Sequence, residues 1–270
     1  MDGYDGLFPP GSVTWRVHAD PVMWVGGLRA LLLQAVHPAA MAGVLEHSDF
    51  RSDPWGRLMR TANYVGTVSF GPRADVERLG ARVRQLHARV EGRDRVSGRR
   101  YRASDPDLLR WVHCCEVDSF LSSYRRSGGR LDDRDADRYL AEQTRAAAVV
   151  GLELGEIPAS VSALADYFAA MRPSLLADER VRATARFVLH PPMPSKLLPL
   201  RPAWAGIAAL AWALLPPWVR RLYGLPGLGV VDLLATSQLR ILAAGLRALP
   251  ATVREGPHVR AARRRLAAAT

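Results

Sequence analysis

The stretch LLRWVHCCEVDSFL, residues 108–121, is apolar on nearly every side when it is placed on a helix. Helices of that kind are buried all round, so this segment predicts the central helix of a helical core. Pro106 suits the first turn of such a helix, and Ser104 or Asp105 can cap its free backbone N–H groups. We expect the helix to run to about Arg126.

The rest of the chain is also predicted to be helical, because strand-like alternation is scarce. Further helices are expected over about 22–34 (with Asp20 as N-cap), from Pro38 onward, 55–70, 73–90, 133–150, 161–171, 178–190, 203–215 and 230–248. Residues 92–104 are expected to form a connecting loop or a short hairpin. The prediction is a single all-α domain over residues 13–250, between an N-terminal loop (1–12) and a frayed basic C-terminal tail (251–270).

Charge and composition argue for a globular protein and against nucleic acid as its partner. The chain has 270 residues, of which 49% are hydrophobic and 23% charged, and its net charge is +11. Lys196 is the only lysine, and arginines are scattered through every predicted helix. We interpret this first as genomic composition bias, with a weaker allowance for anionic partners, because no aromatic-interleaved basic cluster or nucleic-acid motif occurs.

The cysteines and the start of the chain point to a reducing compartment. Cys114 and Cys115 are adjacent, and neighbouring cysteines cannot form a disulfide framework. They are predicted to be small core residues, with thiolate ligation of haem or zinc left open. MDGYDGLFPPGS, residues 1–12, has the composition of a loop and not of a secretion signal, so we expect a cytoplasmic protein.

The longest apolar run is AWAGIAALAWALL, residues 203–215. It is shorter than the roughly 20 residues that span a bilayer. We favour a buried helix. Peripheral membrane contact through residues 203–219 stays open, because Trp204, Trp212 and Trp218 are of the type that prefers membrane interfaces.

Several histidines lie in apolar segments. His87 is on the apolar side of the helix predicted over 73–90, where it is either a core residue or an axial ligand of a buried cofactor. His113 and Glu116 are three residues apart, in the reverse order of the Glu-x-x-His pair of di-iron bundles, so a di-metal site is not expected. Asp118 is expected to orient a histidine or anchor a basic group, and His37 is another inward candidate.

GRLMRTANYVG, residues 56–66, has a polar stripe at helical spacing. We interpret the stripe, formed by Arg57, Arg60, Thr61 and Tyr64, as facing an anion and not water. A helical protein with an internal pocket of histidine and arginine suits a haem, because histidine binds the iron and arginines bind the propionates.

Three blocks together resemble the latex-clearing proteins (rubber oxygenases) and MpaB-type oxygenases. The blocks are LLLQAVHPAAMAGVLEHSDFRSDPWGRLMRTANYVGTVSFG (31–71), RQLHARVEG (84–92) and YRASDPDLLRWVHCCEVDSFLSSY (101–124). The resemblance extends over roughly residues 15–225. It implies an all-α, globin-like domain with one b-type haem and, in latex-clearing proteins, dioxygen-dependent cleavage of isoprenoid double bonds.

The resemblance also implies roles for individual residues. Arg57 and Thr61 match the family's Arg-x-x-x-Thr motif near the haem, and His87 matches the proximal iron ligand. Arg60 stands where latex-clearing enzymes have a lysine that reaches the iron, and arginine is a poor metal ligand. Pocket-lining or outer-shell roles are expected for His37 and His113.

The predicted function is that of a haem b-dependent oxygenase whose substrate is an apolar, unsaturated intracellular molecule such as a terpenoid, lipid or natural product, with dioxygen bound opposite His87. The acid that serves as base in rubber cleavage has no assigned counterpart, and Glu46, Glu116 and Asp118 are its candidates. One alternative is a haem-binding or peroxidase-like redox protein without oxygenase activity. The other is a helical adaptor for lipid surfaces or nucleic acid.

Overall fold

The computed structural model describes residues 4–269. In this range the chain is all-α apart from one small hairpin, as predicted. The first helices are α1 (Val13–His18), α2 (Met23–Gln34), α3 (Pro38–His47), α4 (Pro54–Phe70) and α5 (Arg73–His87). The antiparallel hairpin consists of β1 (Glu91–Arg93) and β2 (Arg100–Arg102). Then follow α6 (Pro106–Arg126), α7 (Asp133–Val149), α8 (Val161–Met171), α9 (Glu179–Leu189), α10 (Arg201–Ala213), α11 (Pro217–Leu222), α12 (Gly229–Ala248), α13 (Ala251–Arg254) and α14 (Pro257–Ala269).

Helix α6 is central, as its apolar circumference predicts. Asp105 caps it by accepting a hydrogen bond from the backbone N–H of Asp107 at 2.9 Å. Its buried side chains, such as Trp111 and Phe120, join one large apolar cluster with residues of α2, α7 and α10. Burial of a side chain of that size stabilises the fold by roughly 2 kcal/mol or more.

Helices α2 and α6 pack unusually closely at Gly26. A Cβ at this position would lie 2.9 Å from Cδ1 of Phe120 and 3.2 Å from the backbone oxygen of Ser119. A larger residue would therefore force the two central helices apart.

A buried ion pair also joins α2 to α6. Nη1 of Arg29, a residue only 3% exposed, lies 2.8 Å from Oδ2 of Asp118. The guanidinium also donates to Oγ of Ser119 at 2.6 Å and to the backbone oxygen of Leu214 at 3.0 Å. Asp118 thus anchors a basic group, one of the two roles expected for it.

Two predicted helix boundaries are wrong in ways that matter for the site. Asp20 does not cap α2: Val22 occupies the N-cap, and Asp20 instead accepts a hydrogen bond from the backbone N–H of Val22. Helix α5 ends at His87 and not near residue 90, since residues 91–93 pair with β2. His87 is therefore the last residue of α5 and not an interior residue of the helix.

The residues after 250 are helical, which corrects the prediction of a frayed tail. Helix α14 packs against α4, and the ring of His258 lies where a Cβ on Gly66 would stand. Val259 and Ala262 are buried in a cluster with Phe70. The tail is ordered because its apolar side covers the outer side of α4.

The apolar run 203–215 contributes to the core, as favoured from the sequence. Leu214 and Leu215 are buried, and the indole of Trp204 donates to the backbone oxygen of Leu189 at 3.1 Å. Among the described residues, the single helix that is long and apolar enough to cross a membrane is α12, and one bent pair, α2 with α3, passes the same test together.

Candidate active site

Helix α4 presents the polar stripe predicted from the sequence. Asp53 begins the helix by accepting a hydrogen bond from the backbone N–H of Gly56 at 2.9 Å. Arg57, Thr61 and Tyr64 are four and then three residues apart, so they share one side of the helix. These three side chains form one wall of the candidate site.

Arg57 is positioned by neutral hydroxyl groups. Its Nη1 donates to Oγ1 of Thr61 at 2.6 Å, and its Nε donates to Oγ of Ser48 at 3.3 Å. Desolvation and then the nearby Arg60 lower the pKa of Arg57, although its side chain is open to solvent. Arg57 has no salt bridge among the described residues, although the charge of Asp49 opposes the lowering of its pKa.

Arg60 is separated from this wall. Its guanidinium lies 2.5 Å from Oδ2 of Asp49 and 3.1 Å from Oδ2 of Asp53, on the solvent side of α4. The hydrogen bonds to Asp53 and then Asp49 raise its pKa. The structure therefore pairs Arg60 with Asp49 and Asp53 at the surface, although its charge still acts on Arg57.

His87 faces Arg57 from the end of α5. Neither ring nitrogen has a hydrogen-bond partner in the described part of the chain, and Nδ1 is buried. Desolvation, followed by the charge of Arg57, lowers the pKa of His87. The imidazole is therefore neutral near pH 7, which is the form that binds metal ions.

We infer a cleft between α4 and α5 on one side and the central helix α6 on the other. Helices α4 and α5 pack on each other, but neither makes more than marginal contact with α6. On that helix Val112 is 37% exposed although Trp111 and His113 beside it are buried. Glu116, one turn further on, is half-buried. We call this space the α4–α6 cleft and define it by Arg57, Thr61, Tyr64, His87, Val112 and Glu116.

Glu116 is the acid of the cleft. It has no ion pair or hydrogen bond to any described residue, and burial raises its pKa to about 7. Desolvation and then Glu116 raise the pKa of Tyr64, so these side chains are electrostatic neighbours across the cleft. Burial lowers the pKa of His113 to about 4. Near pH 7 the carboxyl group on the α6 side of the cleft is thus balanced between its two protonation states, and the buried imidazole of His113 is neutral.

The other two candidate acids lie outside the cleft. Glu46 accepts a hydrogen bond from the hydroxyl of Tyr101 at 2.6 Å and another from Arg95 at 3.3 Å. Asp118 pairs with Arg29, as described above. Of the three acids considered from the sequence, Glu116 is the one that the structure places in the cleft.

One family model matches most of the chain. The family model described as "ER-bound oxygenase mpaB/B'/Rubber oxygenase, catalytic domain" matches residues 15–255. The chain belongs to this family. The resemblance noted from the three sequence blocks is thereby confirmed, and the chain is an enzyme of the oxygenase type. No curated protein and no solved structure matches the chain.

His37 has a structural position in this oxygenase domain. It is the N-cap of α3, where Nδ1 accepts a hydrogen bond from the backbone N–H of Ala40 at 3.3 Å. Its ring lies 5.7 Å from the ring of Trp111. Trp111 and His113 are about 200° apart around α6, so His37 and His113 are on different sides of that helix.

Sequence reasoning missed His18, at the end of α1. Its Nδ1 lies 2.7 Å from Oγ of Ser69 and its Nε2 lies 2.9 Å from the hydroxyl of Tyr139, and this network joins α1, α4 and α7. Burial and then His113 lower its pKa to about 3. The signal is weak because α1 is short and the sequence pattern predicts no element over residues 13–18.

The adjacent cysteines of the oxygenase domain are core residues, as predicted. Both are buried and free. Burial raises the pKa of Cys114 to about 12 and that of Cys115 well above its usual range. Among the described residues, no group of three or more His, Cys, Asp or Glu side chains could hold a metal ion.

Proposed function

We propose that the chain is a haem b-dependent oxygenase that uses dioxygen and an apolar, unsaturated small molecule. One observation carries the proposal. His87 holds a neutral imidazole without a hydrogen-bond partner, beside the cation of Arg57, which has no anionic partner among the described residues. Buried polar groups are nearly always satisfied, so the unpartnered Nδ1 of His87 supports a bound group that an imidazole can hold, and the nearby cation of Arg57 supports an anion on that group.

The residues of the cleft fit a haem. His87 would bind the iron, and Arg57, held by Thr61, would bind a propionate. A single histidine suffices for such a ligand, so no larger cluster of metal-binding side chains is required. When bound, the haem supplies the redox-active iron that dioxygen chemistry needs.

The chain's own groups have separate tasks in this proposal. Thr61 fixes the orientation of Arg57, and Glu116 can hold or release a proton at its carboxyl group near pH 7. His113 is buried in α6 and holds a neutral imidazole near pH 7. Arg60 stays in its ion pairs at the surface, and His37 fixes the start of α3.

An apolar substrate is supported by two observations. The family name includes a rubber oxygenase, and the exposed side chain of Val112 gives the cleft an apolar surface on its α6 side. We propose a terpenoid, lipid or natural-product substrate and no nucleic-acid partner. We further propose that the enzyme acts in the cytoplasm.

Absorption spectroscopy combined with oxygen uptake tests this function. The purified protein, supplied with haem, should show a Soret band that shifts when carbon monoxide is added after reduction. In an oxygen electrode it should consume dioxygen together with an unsaturated isoprenoid or fatty acid. A coloured protein that consumes no oxygen with any such substrate would instead be a haem-binding redox protein, and a colourless protein would contradict the proposal.

A further inference from the structure

Helix α12 exposes an apolar side that nothing in the described chain covers. Its large outward side chains are among the most exposed apolar groups of the protein: Val230 (56%), Leu233 (71%), Leu234 (59%) and Ile241 (74%). Small residues continue the same side, namely Ala244, Gly245 and Ala248. Contiguous apolar surface of this kind marks an interaction site. We call it the α12 face.

The polar groups of α12 are withdrawn from this face. The hydroxyl of Ser237, in the middle of the face, donates to the backbone oxygen of Leu233 at 3.0 Å, inside its own helix. The single acid of α12, Asp232, turns inward and lies 2.7 Å from Nη2 of Arg220. The α12 face therefore presents no carboxylate. The hydroxyl of Ser237 at its centre already donates its hydrogen bond within the helix.

Cations lie near this face. Arg240 is exposed next to Ile241, and Arg221 is exposed on α11, just before the loop that leads into α12. Neither arginine has a carboxylate partner among the described residues, and the whole chain has a net charge of +11. An apolar helix face with unpaired arginines near it is complementary to a lipid surface with anionic headgroups.

We infer that the α12 face docks on an anionic lipid bilayer, with the helix lying in the plane of the interface. The opposite side of α12 holds Leu239 and Ala243, which are fully buried in the protein core. A membrane-spanning orientation would pull that side out of the core and place Asp232 and Arg240 in hydrocarbon, which is costly. The helix therefore lies on the membrane and does not cross it. This inference is independent of the haem.

Vesicle co-sedimentation of the full chain tests the inference. The protein should bind vesicles of phosphatidylcholine mixed with phosphatidylserine about tenfold more tightly than phosphatidylcholine alone, and added salt should weaken the difference. The double variant Leu234→Gln with Ile241→Gln should bind both kinds of vesicle about tenfold more weakly. Arg221→Gln with Arg240→Gln should weaken binding to the anionic vesicles only, by at least about fivefold.

The matched control is Val96→Gln with Leu154→Gln, which changes two exposed apolar side chains on other surfaces. It should bind like the unchanged protein, and circular dichroism should show that every variant is folded. The inference would be overturned if the unchanged protein bound no vesicles. It would also be overturned if the variant Leu234→Gln with Ile241→Gln bound them as tightly as the unchanged protein. Light scattering identifies the alternative occupant: a dimer that this variant dissociates, without vesicle binding, would show that a second copy of the chain covers the α12 face.

Discussion

Nη1 of Arg57 lies 2.6 Å from Oγ1 of Thr61, one turn further along α4, and the same hydroxyl donates back to the backbone oxygen of Arg57 at 3.1 Å. The helix thus holds the guanidinium with a neutral group and leaves its charge unpaired within the described chain. A carboxylate in place of Thr61 would neutralise the cation. The hydroxyl leaves it available for an anion in the α4–α6 cleft.

Removal of the Arg57 cation should weaken haem binding. A charge-assisted hydrogen bond contributes roughly 1.5–3 kcal/mol, so Arg57→Gln should raise the dissociation constant for haem about tenfold to hundredfold. The measurement is haem transfer to apomyoglobin, followed by absorption. Arg60→Gln is the matched control, because Arg60 lies in exposed ion pairs, and it should retain haem like the unchanged protein. Equal loss in both variants would argue against an anion site at Arg57.

The hydroxyl group of Thr61 should contribute more to haem binding than the shape of its side chain does. Thr61→Val removes the acceptor for Arg57 and should weaken haem binding about fivefold, which corresponds to the net energy of one hydrogen bond. Thr61→Ser keeps the acceptor and should restore most of the affinity in the same transfer assay. If the serine variant were as weak as the valine variant, Thr61 would act through packing and not through Arg57.

Glu116 should make stability depend on pH. Its pKa is raised from 4.5 to about 7 in the folded protein, so its contribution is intact below pH 4.5 and is lost as the pH rises through 7. The free energy of unfolding of Glu116→Gln minus that of the unchanged protein should therefore increase by roughly 3 kcal/mol between pH 4.5 and pH 8. Denaturant unfolding of the haem-free protein measures this difference.

The control for that series is Glu153→Gln, at an exposed carboxylate on the surface. Its effect on stability should be small, because exposed surface substitutions usually change stability little. A flat profile for Glu116→Gln would mean that Glu116 is solvated or paired in solution.

The buried ion pair between α2 and α6 should be sensitive to the loss of one partner. Asp118→Ala leaves Arg29 buried without its carboxylate and should destabilise the fold by roughly 3–5 kcal/mol. Thermal or urea unfolding gives the value. Asp75→Ala, which breaks an exposed pair with Arg78, should have a much smaller effect. Comparable losses in the two variants would contradict the central position of the Arg29–Asp118 pair.

Local signals in the sequence were enough to predict the positions of most of the helices. Asp105, one of the two caps predicted for α6, caps it, because a cap depends only on residues next to it. The central position of α6 followed from its apolar circumference. The order of the C-terminal tail could not be predicted, since α14 is held by its contact with Gly66, far away in the chain.

The sequence suggested candidate residues for the site but not their arrangement. Arg57 and Arg60 belong to the same polar stripe in the sequence, yet Asp49 and Asp53, in and at the end of the loop before α4, draw Arg60 to the surface. His37 has an apolar neighbourhood in the sequence, but the start of α3 makes it a cap. Glu116 stands out only once the gap between α4 and α6 is visible.

The most direct test of the account is the Soret band of His87→Ala, beside that of His190→Ala, which changes an exposed histidine at the end of α9. Both variants would be purified with haem, reduced, and treated with carbon monoxide. We expect His190→Ala to keep the band and its shift, and His87→Ala to lose the band or its characteristic shift. An unchanged spectrum in His87→Ala would contradict the assignment of His87 as the iron ligand.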